Sequence, residues 1–214
     1  MNTACSYSIE HSGDTAAYIG VIMSDPMEVY DEEQKWTYRD YKAWELKPGE
    51  RYEIIDGTAY AMSAPNTEHQ NISMILSAEL YNFFKGKTCR PYAAPFDVRL
   101  FYEEDDSDDT VVQPDLVVVC DPEKLGKEGC RGAPDLVIEI LSPSNSAIEM
   151  YRKLSLYQDA GVREYWVVDP EDKLVQIYYL KGDQYISHIL KIEDTLQSIL
   201  FPDFEIPMKT IFPI

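Results

Sequence analysis

The amino-acid sequence predicts a mixed β-sheet flanked by helices, an α/β or α+β architecture. Two continuous aliphatic runs, Leu116–Val119 and Leu136–Leu141, have the β-rich character of central strands covered on both faces. Residues 149–160 then turn helical in pattern, and Glu164–Val168 supplies a third run of the same kind. Strands interleaved with helices bury their apolar faces best in a layered sheet.

The elements follow in order. Residues 1–35 lack periodicity and read as a variable extension, which leaves 36–214 as one domain. Thr37 caps a short helix through Tyr41 and Trp44, closed by Pro48-Gly49. Arg51–Ile55 and Thr58–Met62 form a hairpin about Asp56-Gly57. From Glu68 to Phe84, Ile72, Ile75, Leu76, Leu80 and Phe83 keep helical spacing. Val98–Tyr102 and Thr110–Val112 flank an acidic run, Glu103 to Asp109, expected to be a solvated hairpin tip. Residues 121–133 read as a polar loop, and Ser142 to Asn145 as a turn into the second long helix, which Gly161 ends. Val175–Leu180 and Tyr185–Leu190 make another hairpin. The apolar, proline-punctuated tail from Leu196 to Ile214 is expected to pack over the core.

Composition narrows the function classes. The four cysteines, Cys5, Cys89, Cys120 and Cys130, have no metal-finger spacing and read as free thiols of a cytoplasmic protein. No apolar run is long enough to span a membrane, and no signal peptide is visible. The formal charge of −19 opposes tight, non-specific DNA binding by the whole surface. A local basic cleft or a bound cation would be needed to offset it.

Two strands carry acids where a buried strand should not. Asp115 opens the first, in Gln113-Pro114-Asp115, and Glu139 sits between aliphatics in the second. A buried carboxylate requires an ionic partner, a metal or a functional role. Asp135 shares a strand face with Glu139, either as a ligand or as a strand-start residue bonding backbone. The helix after Glu139 bears Lys153, which can reach back over the strand end or stand on the surface. Two carboxylates and a lysine suit cation-assisted phosphodiester hydrolysis: the carboxylates hold a hard cation and the lysine orients water or phosphate.

From Trp36 to Tyr179 the chain resembles the Uma-two family of restriction endonucleases, within the PD-(D/E)XK nuclease superfamily. The pieces that carry the resemblance are Tyr52–Gly57, Met62-Ser63 with His69, Gln113–Asp115, Gly132–Ser144, Lys153–Tyr157 and Gly161–Pro170. The resemblance implies a restriction-endonuclease-like mixed sheet, metal ligation by Asp115 and Glu139, and Mg²⁺ or Mn²⁺ as cofactor. No lysine stands two residues after Glu139, and the resemblance moves that role to Lys153. Glu149 stands where the family usually has an aspartate. Glu53 and His69 fall within matching pieces. Glu53 is a third carboxylate of the cluster or an exposed strand residue, and His69 contacts phosphate or water or caps a helix.

The expected activity is cation-dependent cleavage of DNA by Asp115, Glu139, Lys153 and Glu53. A non-catalytic interaction protein that keeps the nuclease fold, or a hydrolase of smaller phosphoesters, are the alternatives. A twofold homodimer is expected from the apolar tail with Trp36 and Trp44, and from the pairing common among folds that cut both DNA strands.

Overall fold

The computed structural model describes residues 34–142 and 147–212. Nearly all of the expected extension, Cys5, and most of the Ser142–Asn145 turn lie outside those residues. The described chain runs α1 (Tyr38–Ala43), β1 (Tyr52–Ile55), β2 (Thr58–Ala61), α2 (Thr67–Phe84), β3 (Arg90–Ala93), β4 (Val98–Arg99) and β5 (Val111–Val112). It continues through β6 (Leu116–Val119), β7 (Leu125–Gly126), β8 (Gly129–Arg131), β9 (Leu136–Ile140), α3 (Ala147–Ala160) and β10 (Glu164–Asp169). It ends with β11 (Leu174–Lys181), β12 (Gln184–Leu190), β13 (Thr195–Gln197), β14 (Glu205–Pro207) and α4 (Met208–Ile211).

The fold class is as the sequence predicts, but the described strands divide between two six-stranded sheets and a small pair instead of one sheet. The first sheet has the order β2-β1-β5-β4-β8-β7 and the second β12-β11-β10-β9-β6-β3. In the second, β9 runs parallel to β10 and antiparallel to β6. Its two faces bury different partners. Leu136, Ile138 and Trp166 meet Ile72, Leu76 and Leu80 of α2 together with the tail. Val137, Tyr165 and Val167 meet Leu156 and Tyr157 of α3 and Ile55, Val98 and Val112 of the first sheet. Covering on both sides is why these strands read as unbroken apolar runs.

Local chemistry sets the boundaries. Thr37 and Asp40 close a reciprocal capping box at α1, and Asn66 caps α2 through the His69 amide. Gly161, at φ 83°, ends α3. Gly129 allows β8 to pass the Asp97 carbonyl, where a Cβ would stand 2.1 Å away.

Three expectations are corrected. The acidic run is the expected hairpin tip between β4 and β5 and is mostly exposed, but it is not wholly solvated. Asp108 is buried against Arg99, whose Nε donates to Oδ2 at 2.8 Å, and Arg99 also pairs with Asp106 at 2.9 Å. The Arg99 guanidinium also lies over the rings of Tyr38 (4.1 Å) and Tyr102 (4.5 Å). The amides of Tyr38 and Arg39 donate to the carbonyls of Asp108 and Asp106, so α1 is stitched to the run. Arg99→Met is therefore expected to lose about 3 kcal/mol, because Asp108 would stay buried without its cation; urea unfolding measures this.

Second, Cys89 and Cys120 are disulfide-bonded where β3 and β6 end side by side, and among the described cysteines Cys130 is free and buried. Third, the described part of the tail buries most of its large apolar side chains, although Ile199 stays exposed. Leu196, Phe204, Met208 and Ile211 lie in the core, while Trp36 and Trp44 pack edge-on to one another. That surface argument for a dimer falls. Among the described residues, no helix is long and apolar enough to cross a membrane.

Candidate active site

A cleft opens where β1, β2, α2, α3 and the facing ends of β6 and β9 converge, and Glu53, His69, Asp115, Glu139 and Lys153 all line it. The register explains the meeting of the acids. Leu116 stands opposite Ile138 across the antiparallel β6–β9 pair, which puts Asp115 opposite Glu139 at the next position. Alternation then aims Glu139 with Val137 towards α3 and away from α2.

The helix α3 delivers the lysine. Lys153, Leu156 and Tyr157 are buried at helical spacing, so Lys153 takes a central position of the buried stripe instead of its edge, and Leu154 is only half-buried. The Lys153 Nζ donates to Glu139 Oε1 at 3.0 Å and lies 3.1 Å from Glu53 Oε2. Its partners are thus Glu139 and Glu53, with Asp115 one place further along the cleft. Of the two sequence readings of Glu53, the buried one applies: its side chain is 6% exposed and also accepts from the Gln113 amide at 2.8 Å.

Asp115 is held from two directions. Its Oδ2 accepts from the Ile140 amide at 2.8 Å and lies 3.1 Å from His69 Nε2. His69 arrives there because Asn66 starts α2 beside the cleft. Its Nδ1 is buried and has no hydrogen-bond partner. Burial lowers the tendency of His69 to protonate, but the Asp115 hydrogen bond and charge outweigh it, so its pKa is raised.

Asp135 does not join the group. It stands at the other end of β9, where it accepts from the Cys120 amide at 2.8 Å and pairs with Arg163 at 3.1 Å. Tyr157 was not picked out by the sequence and does belong: its hydroxyl donates to Glu139 Oε1 at 2.6 Å. The available signal was its place one helical turn beyond Lys153.

The electrostatics are those of an acid cluster short of positive charge. Burial pushes the Glu139 carboxyl up to about 7, opposed by Lys153 and reinforced by Asp115 and Glu53. Lys153 is desolvated too, yet Glu139 and Glu53 hold it firmly as an ammonium. Burial keeps the Tyr157 phenol protonated and hence a donor. The cleft is lined by the carboxylates Glu53, Asp115, Glu139 and Glu149 and by Arg51, Arg152 and Lys153, with Lys153 the cation bonded to Glu53 and Glu139, and oxygen donors are the type that Mg²⁺ and Mn²⁺ prefer. Among the described residues no three His, Cys, Asp or Glu side chains form a ready-made cage. The donor set still fits Mg²⁺, which commonly takes one or two carboxylates and fills its shell with water and substrate oxygens.

The family model described as "Uma2: Putative restriction endonuclease" matches residues 38–209, which include the whole cluster. The chain belongs to the Uma2 family. A Synechocystis relative, "Uncharacterized protein slr1290", is 27% identical over 150 residues, covering 70% of this chain and 76% of the relative. A crystal structure from Anabaena variabilis, described as a "putative nuclease belonging to DUF820", superposes with a TM-score of 0.67. It is 18% identical, over 83% of this chain and 97% of that one, so the likeness is one of fold. Family and fold together make this Uma2 member a restriction-endonuclease-like protein.

Proposed function

We propose that this Uma2 protein hydrolyses phosphodiester bonds in DNA, with Asp115 and Glu139 holding Mg²⁺ or Mn²⁺ and Lys153 acting beside them. The observation that carries this reading is Asp115 opposite Glu139 across β6–β9 with the Lys153 ammonium 3.0 Å from Glu139. A bound divalent cation would supply an activated water and offset the charge on the phosphate. The protein's own groups do the positioning. The Ile140 amide and His69 fix Asp115, and Tyr157 and Lys153 fix Glu139. Glu53 anchors the lysine, whose remaining N–H can orient a water or a phosphoryl oxygen.

The deciding experiment is supercoiled-plasmid cleavage with Mg²⁺ and with EDTA. The protein should cut only with the cation, and Asp115→Asn and Glu139→Ala should not cut. Cutting by Glu139→Ala at the parental rate would remove the cluster from the reaction. The net charge of −19 favours, as a second reading, a smaller phosphoester. Hydrolysis of bis(p-nitrophenyl) phosphate with plasmid left intact would select that reading.

The reaction should depend on pH in a definite sense. Glu139 must be ionised to hold a cation, and burial pushes the cation-free carboxyl up to about 7, so at sub-saturating Mg²⁺ cleavage should rise as pH increases towards that value. Stability runs the other way in EDTA. The folded protein holds the Glu139 proton more tightly than the unfolded chain, whose carboxyl has the ordinary value of 4.5. That contribution is full below the ordinary value and is lost as pH rises through about 7. Melting temperatures at acid and alkaline pH should therefore converge in Glu139→Gln relative to the parent.

One cluster cuts one strand, so severing both strands of a duplex in one encounter calls for a twofold pair. Sedimentation with duplex DNA should show two chains per duplex. One chain per duplex, together with concerted double-strand cutting, would count against the pair.

A further inference from the structure

The cluster accounts for the reacting phosphate, yet two more cations line the same cleft. Among the described residues, Arg51, Arg152 and Lys153 are its lysine and arginine lining residues, and Glu149 adds a fourth carboxylate to Glu53, Asp115 and Glu139. Lys153 has its charge engaged by Glu53 and Glu139. Arg51 lies two residues before Glu53, and the Met62 amide bonds to the Arg51 carbonyl at 2.9 Å, extending the β1–β2 ladder outward. Alternation puts Arg51 on the Glu53 side of that hairpin, roughly 7 Å further from the cluster. Tyr60 stands opposite Glu53 in the register and so shares the same face. Arg152 comes from α3, next to Lys153, and its guanidinium lies 4.7 Å over the Tyr60 ring. A guanidinium stacked on a ring is fixed in orientation, and its planar fork suits phosphate oxygens.

We propose that Arg51 and Arg152 are phosphate-positioning residues that grip the backbone of a polynucleotide strand laid past Tyr60, beyond the phosphate that reacts. The inference rests on the nuclease reading and deepens it by naming residues that would hold the strand outside the reacting centre. A small phosphoester has no second phosphate to reach arginines outside the reacting centre; a polynucleotide does. The grip also answers the net charge of −19, since two local guanidiniums can offset repulsion where a strand must enter.

Two measurements on the full chain test it. In the first, a fluorescent DNA oligonucleotide is bound in EDTA over a range of salt concentrations. Arg51→Gln and Arg152→Gln should each flatten the plot of log K against log salt by about 0.9 for duplex or about 0.7 for single-stranded DNA, regardless of sequence. Arg51→Lys and Arg152→Lys should restore the slope. Arg90→Gln, the same charge change on exposed Arg90 of edge strand β3, should leave it unaltered. In the second, hydrolysis is followed with Mg²⁺. The glutamine variants should raise KM for the oligonucleotide with kcat retained, and leave KM for bis(p-nitrophenyl) phosphate unchanged.

Slopes like that of Arg90→Gln would overturn the proposal. So would an equal rise in KM for the small diester, which has no distal phosphate, and so would a parent protein that binds no oligonucleotide. Arginine-dependent slopes in a protein that hydrolyses neither substrate would refute the nuclease reading and leave the grip standing.

Discussion

Lys153→Met is expected to lose DNA cleavage by about 10²–10³-fold, the usual effect of removing one charge that acts on the transition state. The same substitution separates chemistry from architecture. Lys153 is buried between Glu53 and Glu139, and methionine keeps the length of the chain but not the ammonium. Two buried carboxylates would then face each other without a cation, a loss on the order of 3 kcal/mol in EDTA. For a chain of this size that is roughly 10 °C in melting temperature. Saturating Mg²⁺ should recover part of the melting temperature, because a cation held by Asp115 and Glu139 would neutralise one of the two carboxylates, and should recover none of the cleavage. A variant that melts like the parent in EDTA would show that the lysine does not balance the cluster. A variant that cuts like the parent would show that it does not act in the reaction.

Glu164→Gln is expected to cost as much stability as the loss of Arg99, and at a point far from the cluster. Glu164 is wholly buried on the face of the second sheet that carries Trp166. Its carboxylate accepts from Trp166 Nε1 at 2.7 Å, Ser198 Oγ at 2.9 Å, and the amides of Ile199 at 3.2 Å and Leu200 at 2.6 Å. Every partner is a donor, so one acceptor oxygen replaced by an NH₂ group sets donor against donor. The cost should be about 3 kcal/mol, from one lost charge-assisted bond and the groups left unsatisfied. The tail from Ser198 to Leu200 would be released first, which hydrogen exchange of the Ile199 and Leu200 amides would show. The cluster lies on the opposite face of the sheet, so specific activity at low temperature should be retained. Unchanged exchange at those amides would mean that the carboxylate does not latch the tail.

The sequence pointed to the centre of the candidate site because its residues break local rules. Glu139 interrupts an aliphatic run, and a strand register that pairs two such runs brings Asp115 opposite it. Lys153 was harder to place. Helix geometry put it near the buried face, but nothing local says that a lysine will occupy a core position. Only the waiting carboxylates of Glu139 and Glu53 make that tolerable. Glu53 stayed open for the same reason. A charged residue in a hairpin strand faces water or a partner according to what packs on that hairpin, and that is decided by β5 and α3, far along the chain.

Other misses have equally local causes. Strand β3 contains Pro91, which reads as a strand breaker and is acceptable here because β3 is an edge strand. Strands β7 and β8 are two and three residues long, too short to show a period. The acidic run looked solvated because seven polar residues in succession give no hint that Arg99, four residues before it, will bury Asp108. The pairing of Cys89 with Cys120 depends on β3 lying against β6, which their spacing does not announce.

The central claim is that Asp115 and Glu139 share a divalent cation. The most direct measurement is the anomalous scattering of a crystal soaked in Mn²⁺. One strong peak between the two carboxylates, absent from crystals of Glu139→Ala, is the predicted result. A fully soaked crystal with no peak there, or with Mn²⁺ bound only elsewhere, would contradict it.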